Sequence, residues 1–184
     1  MTPTLRTERL LLEPYGPQDE EDFVALFQDT RVSQWMGDGT ASETADRALS
    51  GRIFTKVYAQ DLFDVCSVRR NGLLIGHAEI KPTDIAGGHE IIYALAPAAW
   101  GSGPGTEPAE AVVAYGFGTL GLTKVYATVA APNEASPTLL ARIGFGHVRD
   151  NTENDGNTTR LLARRPAASD KSALARQERV HRCL

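Results

Sequence analysis

The sequence predicts an α+β fold of three layers, α/β/α, built on a mixed and mostly antiparallel sheet. Three observations carry this. Helix-period and strand-period segments interleave along the chain, as they do where helices are laid on a sheet. Three strand-like segments in the middle, over 64–70, 73–81 and 89–96, follow one another without a helix between them, and Asn71-Gly72 joins the first two. That dipeptide marks a tight hairpin, so the block is antiparallel and the sheet is not doubly wound. With 184 residues, 42% of them hydrophobic, the chain can build one domain with a real core.

Each element has its own signal. Residues 10–15 read as a short strand ended by Gly16-Pro17. Over 18–29, Phe23, Leu26 and Phe27 recur at helical spacing, as do Ala45, Leu49, Ile53 and Val57 over 42–60. The three middle strands follow, and Pro97 ends the last. Residues 107–120 read as a helix in which Pro108 is tolerated because it lies in the first turn. Gly116 and Gly118 loosen that helix by roughly 1 kcal/mol each relative to alanine. A β-rich segment over 124–130, a helix over 134–143 and a strand over 145–149 come next. Residues 150–157 are polar and acidic, which predicts a loop, and 159–164 reads as a last strand pairing back across it. Residues 1–165 thus form the domain. The segment 166–184, with Lys171, Arg176, Arg179 and Arg182 and few apolar residues, reads as a basic tail, disordered or weakly docked.

Composition excludes several function classes. The net charge of −4 gives no general attraction to nucleic acid or to anionic membranes. No apolar run approaches the ~20 residues of a membrane-spanning helix, and residues 1–9 lack the apolar centre of a signal peptide. The two cysteines, Cys66 and Cys183, lie far apart, which suits a reduced compartment. A cytoplasmic protein is expected. His77, His89, His147 and His181 have no metal-ligand spacing with each other or with a cysteine, so no metal is expected.

The most informative stretch is Trp-Gly-Ser-Gly-Pro-Gly-Thr-Glu over 100–107, between a strand and a helix. Glycines let the main chain approach a ligand closely. A loop that opens a helix aims N–H groups and the positive end of the helix dipole at one spot, where a phosphate is the natural guest. A flexible strand-to-helix turn is the other reading of the loop alone. The Walker loop is excluded because Thr106, with no lysine, follows Gly105. The dinucleotide fingerprint is excluded because Thr106 stands where its third glycine belongs.

What remains resembles the acyl-CoA pyrophosphate loop of the GNAT superfamily of N-acetyltransferases, Gln/Arg-x-x-Gly-x-Gly/Ala. Trp100 stands at the first position, and the Gly and Thr-Glu that follow are similar to the RimJ/RimL-like branch, which acetylates protein N-termini. Thr-Glu-Arg-Leu-Leu-Leu-Glu-Pro over 7–14 resembles the opening strand of that branch. Asn133-Glu-Ala-Ser136 with Leu-Leu-Ala-Arg-Ile-Gly-Phe over 139–145 resembles its second CoA-side motif.

The resemblance implies acetyl-CoA as acyl donor and a primary amine as acceptor, a protein N-terminus or a small molecule. It implies that the strand at 89–96 splays from the strand at 124–130 and that the pantetheine arm lies in the gap. Trp100, Gly101, Ser102, Gly103, Gly105 and Thr106 would then hold the pyrophosphate, main-chain groups of Leu95 and Ala96 the pantetheine, and Asn133 its amide region. The Leu95 N–H would face the acetyl oxygen. Glu90 matches a carboxylate that serves as general base, with His89 and Glu79 as competitors and a solvated strand carboxylate as the plain alternative. Ser136 matches a serine assigned to thiolate stabilisation, and its plain alternative is a helix-cap or first-turn serine. Leu140 stands where many members carry a tyrosine acid; Tyr93 and Tyr126 read as packing residues. Residues 29–44 and 150–157 would form the acceptor side, and a homodimer is expected by analogy. Ser102, Pro104 and Leu140 depart from the pattern and motivate the other expectation, a catalytically weak or inactive acyl-CoA-binding or sensing module.

Overall fold

A computed structural model of the chain describes residues 1–37, 39–101, 105–152 and 156–167. Of the expected basic tail, all but Pro166 and Ala167 lies outside the described residues.

Among the described residues eight strands form one mixed sheet: β1 (Leu5–Arg6), β2 (Leu11–Glu13), β3 (Asp64–Arg70), β4 (Leu73–Pro82), β5 (His89–Leu95), β6 (Val125–Ala130), β7 (Gly146–Thr152) and β8 (Thr158–Arg164), in the order β1-β2-β3-β4-β5-β6-β8-β7. Of these strands β5 and β6 pair in parallel and the other neighbours antiparallel. Asn71 (φ 53°) and Gly72 (φ 82°) turn β3 into β4 with both residues left-handed, as the two-residue hairpin requires.

Among the described residues five α-helices flank the sheet: α1 (Glu20–Gln28), α2 (Thr30–Ser33), α3 (Glu43–Arg52), α4 (Glu107–Gly118) and α5 (Ala135–Arg142). On one face Val112, Val113 and Phe117 of α4 and Leu140 of α5 pack on Ile80, Ile91, Leu95 and Val125. On the other, Phe23, Leu26 and Phe27 of α1 and Val32 of α2 pack with Val65 and Ala94. These are the three layers the sequence predicts.

Four details differ from the sequence reading. The helix expected over 42–60 begins where Ser42 caps it, accepting the Ala45 N–H at 3.2 Å, but widens to a π-helix over Ile53–Tyr58. There the Tyr58 hydroxyl donates to the Val65 carbonyl (2.7 Å) and accepts the Tyr15 N–H (2.9 Å), tying the segment to the sheet. The strand expected over 145–149 runs on to Thr152, so residues 150–152 are not loop. β7 is an edge strand with most of its residues exposed, and a polar edge strand carries no alternation to read. β1, two residues long, has too few residues to signal at all. Finally, Gly116 is a packing glycine: a Cβ there would stand 2.7 Å from Ile80 Cδ1 and 3.3 Å from Leu122 Cδ1. Its absence lets α4 approach the sheet closely.

The junction of β5 and β6 matters most. They pair only at His89↔Val125 and Glu90↔Tyr126. β5 continues to Leu95 and β6 to Ala130, so the two strands splay apart.

Candidate active site

The splay opens a cavity of about 680 Å³. Ile91, Tyr93 and Leu95 line it from β5, Ala127 and Val129 from β6, and Ser136, Leu139 and Leu140 from α5. Trp100, Gly101, Gly105 and Thr106 stand at one end; Arg31, Val32, Trp35 and Met36 also line it. A depression of about 740 Å³ between residues 4–9 and α4 is more open and, among the described residues, touches the 100–107 stretch through Thr106 and Glu107. The interstrand cavity is the better site, because bare strand edges face it.

The pairing of β4 with β5 determines which main-chain groups face the gap. The Ala96 N–H donates to the Ile75 carbonyl at 2.8 Å. Because antiparallel hydrogen bonding alternates along a strand, the groups of Ala94 and Ile92 also turn toward β4. Those of Leu95, Tyr93 and Ile91 turn toward β6. The expected Leu95 N–H therefore points into the splay. The Leu95 carbonyl accepts the Trp100 indole N–H at 2.8 Å, so Trp100 closes the turn after β5 as well as lining the cavity. The expectation for Ala96 is corrected: its N–H is committed to β4 and it does not line the cavity.

At the glycine end, Gly101 adopts φ 67°, a left-handed conformation that suits glycine. A Cβ on Gly105 would meet only Leu139, at 3.7 Å. The protein itself would tolerate a side chain there, so the free space is available to a ligand. Thr106 precedes α4 and makes no capping bond with its hydroxyl. Glu107, in the first turn, accepts from Thr7 (2.6 Å) and from Arg9. Burial pushes its carboxyl up, but those hydrogen bonds and the Arg9 charge hold it below the ordinary value. The acid at this helix terminus is thus already neutralised from the side of the N-terminal strand. Ser102, Gly103 and Pro104 lie outside the described residues.

Asn133 and Ser136 are brought together. The Asn133 Oδ1 accepts the Ser136 N–H and its Nδ2 donates to Ser136 Oγ, both at 3.2 Å. The Asn133 side chain thus satisfies an N–H at the start of α5, and Ser136 is a first-turn residue of that helix. Both line the cavity. Beside them the Tyr93 hydroxyl is buried. It lies close enough to Ser136 to feel that hydroxyl, which offsets part of the upward push that burial gives its acidity constant. Leu140 is buried in the core.

Glu90 sits at the closed end of the splay, opposite Tyr126, and does not itself line the cavity. Its carboxylate is 3.8 Å from Lys81 Nζ. Burial raises its pKa, Lys81 offsets part of this, and Glu79 adds to it. Glu79 behaves oppositely: burial pushes it up, but His77 and Lys81 (3.1 Å) outweigh that and hold it below the ordinary value. His77, held by the Tyr15 hydroxyl at 3.0 Å, completes this polar row. Of the two carboxyls, Glu90 has the affinity for a proton that a base needs. Glu90 and Tyr93 are three residues apart, so they project from opposite faces of β5. Glu90 shares its face with Ala94, toward α1 and α2; Tyr93 packs with the α4 core.

Trp35 and Met36, which line the cavity, lie within the expected acceptor segment 29–44, although nothing in their spacing marks them individually. Of the other expected acceptor segment, Asp150 pairs with His147 at 2.7 Å on an exposed strand and does not line the cavity. Glu153 and Asp155 lie outside the described residues. Among the described residues no three His, Cys, Asp or Glu side chains group as metal ligands, and no helix is long and apolar enough to cross a membrane.

Comparison with known proteins agrees with this geometry. The sequence profile of the acetyltransferase (GNAT) domain matches residues 9–146. An uncharacterised N-acetyltransferase of Bacillus subtilis, YoaA, is 34% identical over 152 residues, covering 79% of this chain and 84% of that protein. A GNAT-family acetyltransferase from Bacillus anthracis superposes with a TM-score of 0.76 at 20% identity, covering 89% of this chain and 98% of that one. A spermidine N-acetyltransferase from Vibrio cholerae, in complex with CoA and spermine, superposes with a TM-score of 0.72 at 18% identity, covering 85% and 95%.

Proposed function

The chain belongs to the GNAT acetyltransferases, and we propose that it transfers an acetyl group from acetyl-CoA to the α-amine of a polypeptide N-terminus, with Glu90 as general base. The observation that carries the reading is the splay of β5 from β6, with the main-chain N–H groups of Leu95 and Tyr93 turned into a cavity that ends at a glycine-rich helix start.

Acetyl-CoA, when bound, supplies a thioester carbonyl already activated toward an amine. The residues of this chain do the rest. The segment 101–106, with Ser102 and Gly103 in its middle, and the N-terminus of α4 receive the pyrophosphate, where N–H groups and the helix dipole favour negative charge. Trp100 fixes the turn that presents this segment. The exposed edge of β5 pairs with the amide-bearing arm as it would with an added strand, and Asn133 lies within its reach. The Leu95 N–H, and deeper in the gap the Tyr93 N–H, stabilise charge at the carbonyl oxygen as the amine attacks. Glu90 takes the proton the amine releases, directly or through one water. Its raised pKa increases its affinity for that proton.

The cavity's charges support a single amine over a polyamine. Among the described residues lining it, Glu134 is the one acid, against Arg31 and Arg142. Arg31 is itself paired with Asp29 at 2.6 Å. A polycation would need several acids here. Trp35, Met36 and Val32 instead offer an apolar wall for the first side chains of a peptide. The test is acetyl-CoA-dependent release of free CoA with a panel of short peptides, the same peptides blocked at the N-terminus, and spermidine. Unblocked peptides are expected to turn over and the other two not. Turnover of spermidine alone would overturn the acceptor assignment.

A further inference from the structure

We propose that Arg9 and Thr7, in the turn between β1 and β2, are positioning residues for acetyl-CoA: acting through Glu107, they keep the start of α4 receptive to the pyrophosphate. The inference rests on the acetyl-transfer reading above and names two residues that stand outside the cavity wall.

An acid in the first turn of a helix gains from the positive end of the dipole. A bound anion seeks the same N–H groups, so an unrestrained first-turn acid competes with it and repels it. α4 opens with such an acid, Glu107, one residue past Thr106. Thr106 lines both the interstrand cavity and the depression beside residues 4–9, whereas Glu107 lines the depression and not the cavity. The Glu107 carboxylate faces the β1–β2 turn, where it accepts the Thr7 hydroxyl at 2.6 Å and the Arg9 guanidinium. Its side chain is only 13% exposed, so water screens it weakly. The turn itself sets the donors. The Thr7 N–H donates to the Leu10 carbonyl at 3.0 Å and Thr7 Oγ1 accepts the Leu10 N–H at 2.9 Å. That hydroxyl is nearer Glu107 than the Leu10 carbonyl, at 3.3 Å. Glu110, the other first-turn acid, is exposed, as are Arg6 and Glu8, which line the same depression. Glu107 is therefore the least screened acid at this terminus, and Arg9 is the cation placed on it.

With Arg9 in place, the ion pair presents no net charge to an arriving anion, and the carboxylate is held aside from the helix N–H groups. A carboxyl is ionised at neutral pH. Removing Arg9 therefore uncovers a negative charge beside the segment that receives the pyrophosphate, well within a Debye length at ordinary ionic strength. Removing the Glu107 charge as well takes the repulsion away again.

The test is calorimetric titration of acetyl-CoA into wild type, Arg9→Met, Glu107→Gln and the double variant, at low and at high salt. At low salt Arg9→Met is expected to lose about fivefold or more in affinity, and high salt to recover most of that loss by screening. Glu107→Gln is expected to bind at least as tightly as wild type, and the double variant to return to within about twofold of it. A clip that merely held α4 in place would behave otherwise: both single variants would lose affinity and the double would not regain it. Thr7→Val keeps every charge and removes one bond that holds the carboxylate aside, so it tests the same role should Arg9→Met fail to fold. It is expected to lose about twofold, and to regain it when Glu107→Gln is added. Equal affinity in wild type and the folded Arg9 or Thr7 variant, or a loss that Glu107→Gln does not reverse, overturns the inference. If wild type binds acetyl-CoA in those cases, the acetyl-transfer reading stands without it. If wild type does not bind acetyl-CoA at all, both fail.

Discussion

Glu90 and Glu79 show how two carboxyls, on strands paired side by side, come to differ. Burial raises both, but Glu79 has His77 and Lys81 close at hand, whereas Glu90 has only the more distant Lys81 and feels Glu79 as a like charge. A base must be deprotonated to work, so the rate rises with pH through a value above that of an ordinary carboxyl. Glu90→Gln is expected to lower kcat by roughly 10²–10⁴ with little change in the KM for acetyl-CoA, and to remove that acidic limb from the pH–rate profile. Lys81→Met removes the cation that lowers the Glu90 pKa, so the limb moves to higher pH. A limb that stays in place in both variants would assign it to another group. Glu90 is singled out in the sequence through the family resemblance; its environment is not readable there, because Lys81 and Glu79 come from the neighbouring strand.

Helix α4 contains two glycines that the sequence treats alike and the structure separates. A Cβ on Gly118 meets nothing within 4 Å, whereas one on Gly116 meets Ile80 and Leu122 in the core. Gly118→Ala is expected to stabilise the protein by about 0.5–1 kcal/mol in urea unfolding through helix propensity. Gly116→Ala is expected to forfeit that gain to overpacking, which typically costs about 1–3 kcal/mol. Equal stabilisation by both would refute the close approach of α4 to β4. In α5, Asn133→Ala removes the side chain that accepts the Ser136 N–H, at an expected cost of about 1 kcal/mol. A variant with unchanged stability would show that bond to be unimportant. Most elements are readable from period and turn residues. The exceptions are those where period is absent, as in the exposed β7, or where a helix widens because a tertiary contact such as Tyr58 to Val65 holds it.

At the scale of the whole molecule, function follows from one interruption in an otherwise continuous sheet. Strand propensity identifies β5 and β6 but carries no information on where their pairing stops. The splay was expected only through the family resemblance, and the two-residue ladder at Glu90 and Tyr126 supplies its geometry. The cavity so formed joins a glycine-rich helix start, a strand edge with free N–H groups, and an apolar wall from α2 and the turn after it. Its central test is whether this gap holds acetyl-CoA. Gly105→Val is expected to fold, since a Cβ there makes only ordinary contact with Leu139, yet to fill space the phosphates need. Acetyl-CoA titrated calorimetrically into both proteins should bind wild type and lose at least about tenfold in affinity, or 1.4 kcal/mol, in the folded variant. Equal affinity in the two would contradict the account.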